Sequence, residues 1–90
     1  MTITTKQLAA AEALIKNWIK TSFLRRQALT ELREQVALIR TFDKEDLDYL
    51  RWVSGNEPPV RVLSNWVRVD GHSVSDLNRA LTEALGLNDL

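Results

Sequence analysis

Cysteine is absent from this chain of 90 residues, which removes disulfides, thiolate nucleophiles and Cys-ligated metal sites together. The fold must hold by packing alone. Glycine occurs only at Gly55, Gly71 and Gly86, each isolated, so there is no Gly-rich phosphate loop and no Gly-Xaa-Ser-Xaa-Gly nucleophile turn. No apolar run approaches the roughly 18 residues needed to span a bilayer, and the amino terminus lacks the basic and apolar regions of a signal peptide. A soluble, cytoplasmic protein with no membrane contact is expected. Neither sign of charge prevails, since 12 Lys and Arg balance 12 Asp and Glu. Nucleic-acid binders usually carry an overall basic field, so a nucleic-acid partner is disfavoured.

Titratable chemistry is equally scarce. His72, the single histidine, sits in the polar turn Asp70-Gly71-His72-Ser73 and reads as a solvent-exposed turn residue, not a general base or metal ligand. The acidic cluster Asp43, Glu45, Asp46 and Asp48 wraps around a helix start. It lacks the alternating ligands and central glycine of a calcium loop, so it matches helix capping instead. No catalytic, cofactor-binding or metal-binding residue is expected, and the chain reads as non-enzymatic.

What is present is helical periodicity. With 44% hydrophobic and 27% charged residues the chain is globular, and its length supports a single domain, 1–90, around one modest core. Thr4 or Thr5 can cap a helix over about 6–20 with Leu8, Ala11, Ile15, Trp18 and Ile19 on one face. Thr21-Ser22 interrupts the pattern, dividing what could otherwise be one bent rod. A second helix over about 23–40 turns Leu24, Ala28, Leu32, Val36 and Ile39 inward. Asp43 with Asp46, stapled by Phe42 and Leu47, starts a third over about 44–54, presenting Leu47, Leu50 and Val53 with Tyr49 and Trp52 at its borders. Gly55 ends it.

Pro58-Pro59 makes a rigid loop, with Pro59 placed to open a fourth helix over about 59–69. Val60, Val62, Leu63, Trp66, Val67 and Val69 fall on nearly every side of that helix, which makes it the expected central element, anchored by Leu63 and Trp66. Ser73 and Asp76 form a further capping pair for a fifth helix over about 74–85, stopped by Gly86 in a left-handed cap. Asn88 or Asp89 could cap a sixth. The chain shows no period-two strand signal, and the expected fold is an all-α compact bundle of five to six antiparallel helices with the last short or missing.

Charge is unevenly spread. Residues 1–40 sum to plus four and residues 41–90 to minus four, which suits charge-complementary contacts between copies. Trp18 and Trp66 occupy apolar helical registers and read as core. Trp52, beside Arg51 and the Gly55 loop, reads as a partly exposed interface anchor. A DNA-reading helix over 73–88 would expose Asp76, Asn78, Arg79, Thr82 and Glu83, setting two acids against phosphates. The second helix is more basic, with Arg25, Arg26 and Arg33, but no adjacent arm accompanies it.

The second half of the chain resembles a death domain, closest in rhythm to the netrin-receptor type. The resemblance runs over about 43–90: Asp48-Tyr49-Leu50-Arg51-Trp52-Val53, a Pro-bearing loop, Val62-Leu63-Ser64-Asn65-Trp66, then Asp70-Gly71. It continues through Asp76-Leu77-Asn78-Arg79-Ala80-Leu81 to Gly86-Leu87-Asn88-Asp89-Leu90. Leu63 and Trp66 match the Leu-Xaa-Xaa-Trp pattern of the family's fourth helix, and Leu77, Ala80 and Leu81 match the Leu-Xaa-Xaa-Ala-Leu pattern of its fifth. Asp89 and Leu90 match the opening of its sixth. The Trp-Xaa-Xaa-Leu-Ala signature of the family's second helix is not visible in residues 23–40.

The resemblance implies a non-enzymatic adaptor that binds another death-fold module, or itself, and forms homo- or hetero-oligomers through charge-complementary surfaces. The surface it points to comprises Arg25, Arg26, Arg33 and Arg40 facing Asp43, Glu45, Asp46 and Asp48 of a partner, with Trp52 beside them. The alternatives are a small nucleic-acid-associated helical protein, or a subunit or inhibitor packing on a larger complex.

Overall fold

A computed structural model describes residues 2–63 and 68–88. The element order is α1 (Thr5–Trp18), α2 (Ser22–Ile39), α3 (Lys44–Ser54), β1 (Arg68–Val69), β2 (His72–Ser73) and α4 (Val74–Ala84). The protein is mostly helical, as its periodicity predicts.

α1 and α3 begin where the capping chemistry places them. Thr4 and Gln7 close a capping box at α1, the Thr4 hydroxyl accepting from the Gln7 N–H at 3.0 Å and Gln7 Oε1 from the Thr4 N–H at 2.9 Å. Asp43 and Asp46 do the same at α3. The chain breaks at Ile19 to Thr21, so α1 and α2 are separate helices. They run antiparallel: Arg33 of α2 pairs with Glu12 of α1, and Arg40 just past α2 reaches the carbonyl of Ile3 just before α1.

α1 packs on both α2 and α4. The core is built from Ala11, Ile15 and Ile19 of the first segment, Ala28, Leu32, Val36 and Ile39 of α2, and Val74, Leu77 and Leu81 of α4. Leu85 and Leu87 close it at the carboxyl end. There Gly86, at φ 74°, lets the chain fold back so that the Leu87 N–H reaches the Thr82 carbonyl at 3.0 Å. Trp18 is half-buried and packs against this core.

The expected helix over 59–69 is absent from its described residues, 59–63 and 68–69. None of the residues 58–63 is helical, Leu63 has φ 61°, and Arg68-Val69 is a strand paired antiparallel with His72-Ser73. The described residues therefore contain four helices and a short hairpin instead of five to six helices, and the central element is α1 between its two neighbours. The physical reason is visible in the residues themselves. Val60-Arg61-Val62 and Val67-Arg68-Val69 alternate apolar and cationic positions, and β-branched valines favour extended backbone. Asp70-Gly71, at φ 51° and 84°, supplies the two positive-φ residues of a tight two-residue hairpin turn. Trp66, Asp89 and Leu90, which carry the other expected anchor and the sixth-helix start, lie outside the described residues.

The irregular segment 58–63 lies between α2 and α4, with Val60 and Val62 fully buried. A chain in neither helix nor sheet leaves its N–H and C=O groups without regular partners, and burial makes that costly. Side chains from both helices satisfy them. From α2, Gln35 accepts from the Arg61 N–H at 3.0 Å and donates back to the Arg61 carbonyl, while Glu31 accepts from the Leu63 N–H at 2.6 Å. From α4, Asn78 Oδ1 accepts from the Val62 N–H at 2.8 Å, and the Thr82 hydroxyl lies 3.5 Å from the Val60 carbonyl. Asn78 and Thr82 are accordingly buried, not exposed as a DNA-reading helix would require. Ser73 occupies the α4 N-cap position, but its side chain makes no capping hydrogen bond, so the expected Ser73–Asp76 pair is not formed.

Candidate interaction surface

α3 is apolar on two sides. Leu47 and half-buried Leu50 face the core, where Phe42 also packs. Tyr49, Trp52 and Val53 point the other way, 66, 78 and 57% exposed. Spacings of three and four residues put these three on one stripe of the helix, roughly opposite Leu47. Val53 was expected inward and is not. The Tyr49 and Trp52 rings lie 6.0 Å apart and tilted by 40°, within the range of favourable aromatic pairs.

Acids flank the stripe. Glu45 stands one turn before Tyr49, Asp48 one turn before Trp52, and Asp46 is three residues before Tyr49. Glu45 and Asp48 are exposed and form no salt bridge among the described residues, whereas Asp43 and Asp46 are engaged in each other's capping bonds. At its carboxyl end the stripe borders an open groove of about 630 Å³ between α3 and α4, with Trp52 and Pro58 on one side and Thr82 and Leu87 on the other.

The expected basic group divides. Arg25, Arg26, Arg33 and Arg40 share one side of α2, but fifteen residues separate the first from the last, about 22 Å along the axis. Arg33 pairs with Glu12 at 3.0 Å, and that hydrogen bond holds the Glu12 carboxyl below its ordinary pKa. Arg40 donates from Nε and Nη2 to the Ile3 carbonyl at 3.1 and 2.9 Å, fastening the amino terminus to the end of α2. Arg25 is half-buried and Arg26 exposed, and neither forms a salt bridge among the described residues. Two of the four are thus structural ties, and two remain available for contact.

His72 is exposed but not idle: its ring stacks on Trp18 with centroids 4.7 Å apart and planes inclined by 27°. Among the described residues no three His, Asp or Glu side chains converge as a metal site needs, and no helix is long and apolar enough to cross a membrane. Sequence reasoning singled out Trp52 but passed over Tyr49 and Val53. Their spacing was visible; a single apolar stripe per helix was assumed, and Leu47 with Leu50 already supplied it.

No protein-family model matches the chain, and neither a curated protein nor a solved structure matches it.

Proposed function

We propose that this chain is a non-enzymatic protein–protein interaction module that docks its partner on the outer face of α3. The observation that carries the reading is Trp52, 78% exposed beside an exposed Tyr49. Burying such an aromatic pair against a partner removes a large apolar area from water, and tryptophan and tyrosine are the residues most enriched at binding hot spots. Glu45 and Asp48 at the rim favour a partner surface that is apolar at its centre and cationic at its edge. Arg26 with exposed Phe23, three residues before it on α2, gives a second copy of this chain such a surface, which makes homotypic assembly the simplest form of the function.

The death-like adaptor form of this reading rests on the resemblance in α3 and on Leu77, Ala80 and Leu81 of α4, since the segment holding Leu63 is not helical. Light scattering on the wild type and on Trp52→Ala and Arg25→Glu/Arg26→Glu variants tests the module. Larger species at high concentration and low salt, lost in both variants, are expected. Wild type that stays monomeric throughout and yields no partner of fixed stoichiometry overturns the reading.

A further inference from the structure

The end of the bundle away from the α3 groove carries the opposite charge. α4 starts at Val74, beside Trp18 and Ile19 at the close of the first helical segment, and is followed by Gly86, beside Gln7 in the first turn of α1. The groove under Trp52 is lined by the last part of α4, so it belongs to the Gln7 end. At the Trp18 end, residues 16–30 hold four cations, Lys16, Lys20, Arg25 and Arg26, and no acid.

The hairpin is docked onto this same end. Asp70 Oδ2 accepts from the Lys20 N–H at 2.6 Å and the Thr21 N–H at 3.2 Å, and Oδ1 lies 3.4 Å from the Thr21 hydroxyl. The turn residue is therefore the anion that covers the start of α2. Arg25, one turn beyond Thr21, lies on the side of α2 to which the hairpin is fixed. Arg68 is exposed, its guanidinium donating to the Gly71 carbonyl at 2.6 Å, so its charge is held at the hairpin tip. Lys20, Arg25, Arg26 and Arg68 form no salt bridge among the described residues. The acids of this end are Asp70, turned onto α2, and Asp76 in the first turn of α4.

A helix start and a hairpin thus present unpaired cations together, the arm beside α2 that the sequence alone did not reveal. The side of α2 that carries the hairpin offers little apolar surface: Val69 and Val74 are buried, Trp18 is half-buried under His72, and Phe23 points from the far side of α2. Protein interfaces centre on apolar anchors, whereas a phosphate backbone needs only charge and N–H donors. We propose that this hairpin end binds the phosphate backbone of a nucleic acid without reading its bases. The site is separate from the α3 face; the charge reversal at Arg25 and Arg26 bears on both it and the surface proposed for a second copy, whereas Lys20 and Arg68 belong to it alone, so the Lys20 and Arg68 variants test it without touching the α3 reading.

The test is fluorescence anisotropy of a labelled DNA of about 20 base pairs, and of a single strand of equal length, titrated with the full chain at low salt. Neutralising three to four phosphates gives a log–log salt slope of about −3. Lys20→Gln/Arg68→Gln, which keeps the Lys20 backbone bond to Asp70, is expected to lower the slope by about 2 and the affinity at least about tenfold. Arg25→Gln should lower the slope by about 1, and Trp52→Ala should leave it unchanged. No anisotropy change on either DNA at low salt overturns the proposal, as does a double variant that binds like the wild type. Competition by polyglutamate as effective as that by unlabelled DNA would also overturn it, in favour of an acidic protein partner.

Discussion

The side-chain oxygen of Asn78 on α4 accepts a hydrogen bond from the backbone N–H of Val62 at 2.8 Å, with both residues buried. One polar atom on α4 thereby satisfies a buried main-chain donor that lies in neither helix nor sheet. Gln35 and Glu31 perform the same service from α2. Asn78→Ala or Asn78→Leu strands the Val62 N–H in an apolar setting, and leaving such a donor unsatisfied costs about 1–3 kcal/mol. Urea unfolding should show a stability lower by that amount, read as a lower midpoint at an unchanged slope; a midpoint equal to the wild type's would show that the bond holds nothing.

Gly86→Ala should destabilise by about 1–2 kcal/mol, the strain of placing a side chain at positive φ. The new Cβ would also meet Gln7 Nε2 at 2.9 Å, disturbing the side chain that closes the α1 capping box. Thermal unfolding of Gly86→Ala beside Gly86→Asn, which tolerates the left-handed region better, separates the backbone effect from the collision: both variants falling equally points to the collision.

Asp70 ties the hairpin to α2 more strongly when ionised. Hydrogen bonds from the Lys20 and Thr21 N–H groups hold its carboxyl below the ordinary 3.8, so the unfolded chain binds the proton more readily. Its contribution is fully present above that value and is lost as pH falls through the lower folded-state value. Glu12, depressed from 4.5 chiefly by its hydrogen bond from Arg33, acts in the same direction. Melting temperatures of wild type and Asp70→Asn should differ at pH 6, and the gap should close as the pH is taken below 3.8. A gap that stays constant across this range would contradict the ionic tie.

Leu32→Ala and Trp52→Ala should behave oppositely. Leu32 is fully buried in α2, so its truncation leaves a cavity and costs about 2–5 kcal/mol. Trp52 lies on the surface, where replacements usually change stability by no more than about 0.5 kcal/mol. Denaturant titrations of the two should give a large shift and almost none. A large shift for Trp52→Ala would recast that ring as part of the fold.

How far the sequence could be read depends on which periodicity governed each segment. The α1 and α2 stripes, the Asp43–Asp46 capping box and the fold-back at Gly86 were legible because they rest on spacings of three and four and on local side-chain bonds. The stretch after Pro59 was not. Six apolar residues in ten satisfy a helical and an extended reading alike, and the Val-Arg-Val alternation with Asp-Gly was the signal that should have decided. Asn78 and Thr82 looked like the polar face of a helix because their partners are main-chain groups brought in by the fold, which leave no trace in side-chain pattern. The candidate surface was legible at Trp52 and in the acids of α3. The basic residues of α2 were not separable by sequence into those that tie the bundle, Arg33 and Arg40, and those without a salt bridge among the described residues, Arg25 and Arg26.

Sedimentation equilibrium of the unmodified chain over a range of concentrations, at low and at high salt, bears most directly on the role given to the α3 face. The weight-average mass should rise above the monomer's with concentration at low salt, fall back as salt screens the rim charges, and stay at the monomer value at every concentration for Trp52→Ala. A Trp52→Ala chain that associates as the wild type does would contradict the assignment of that face.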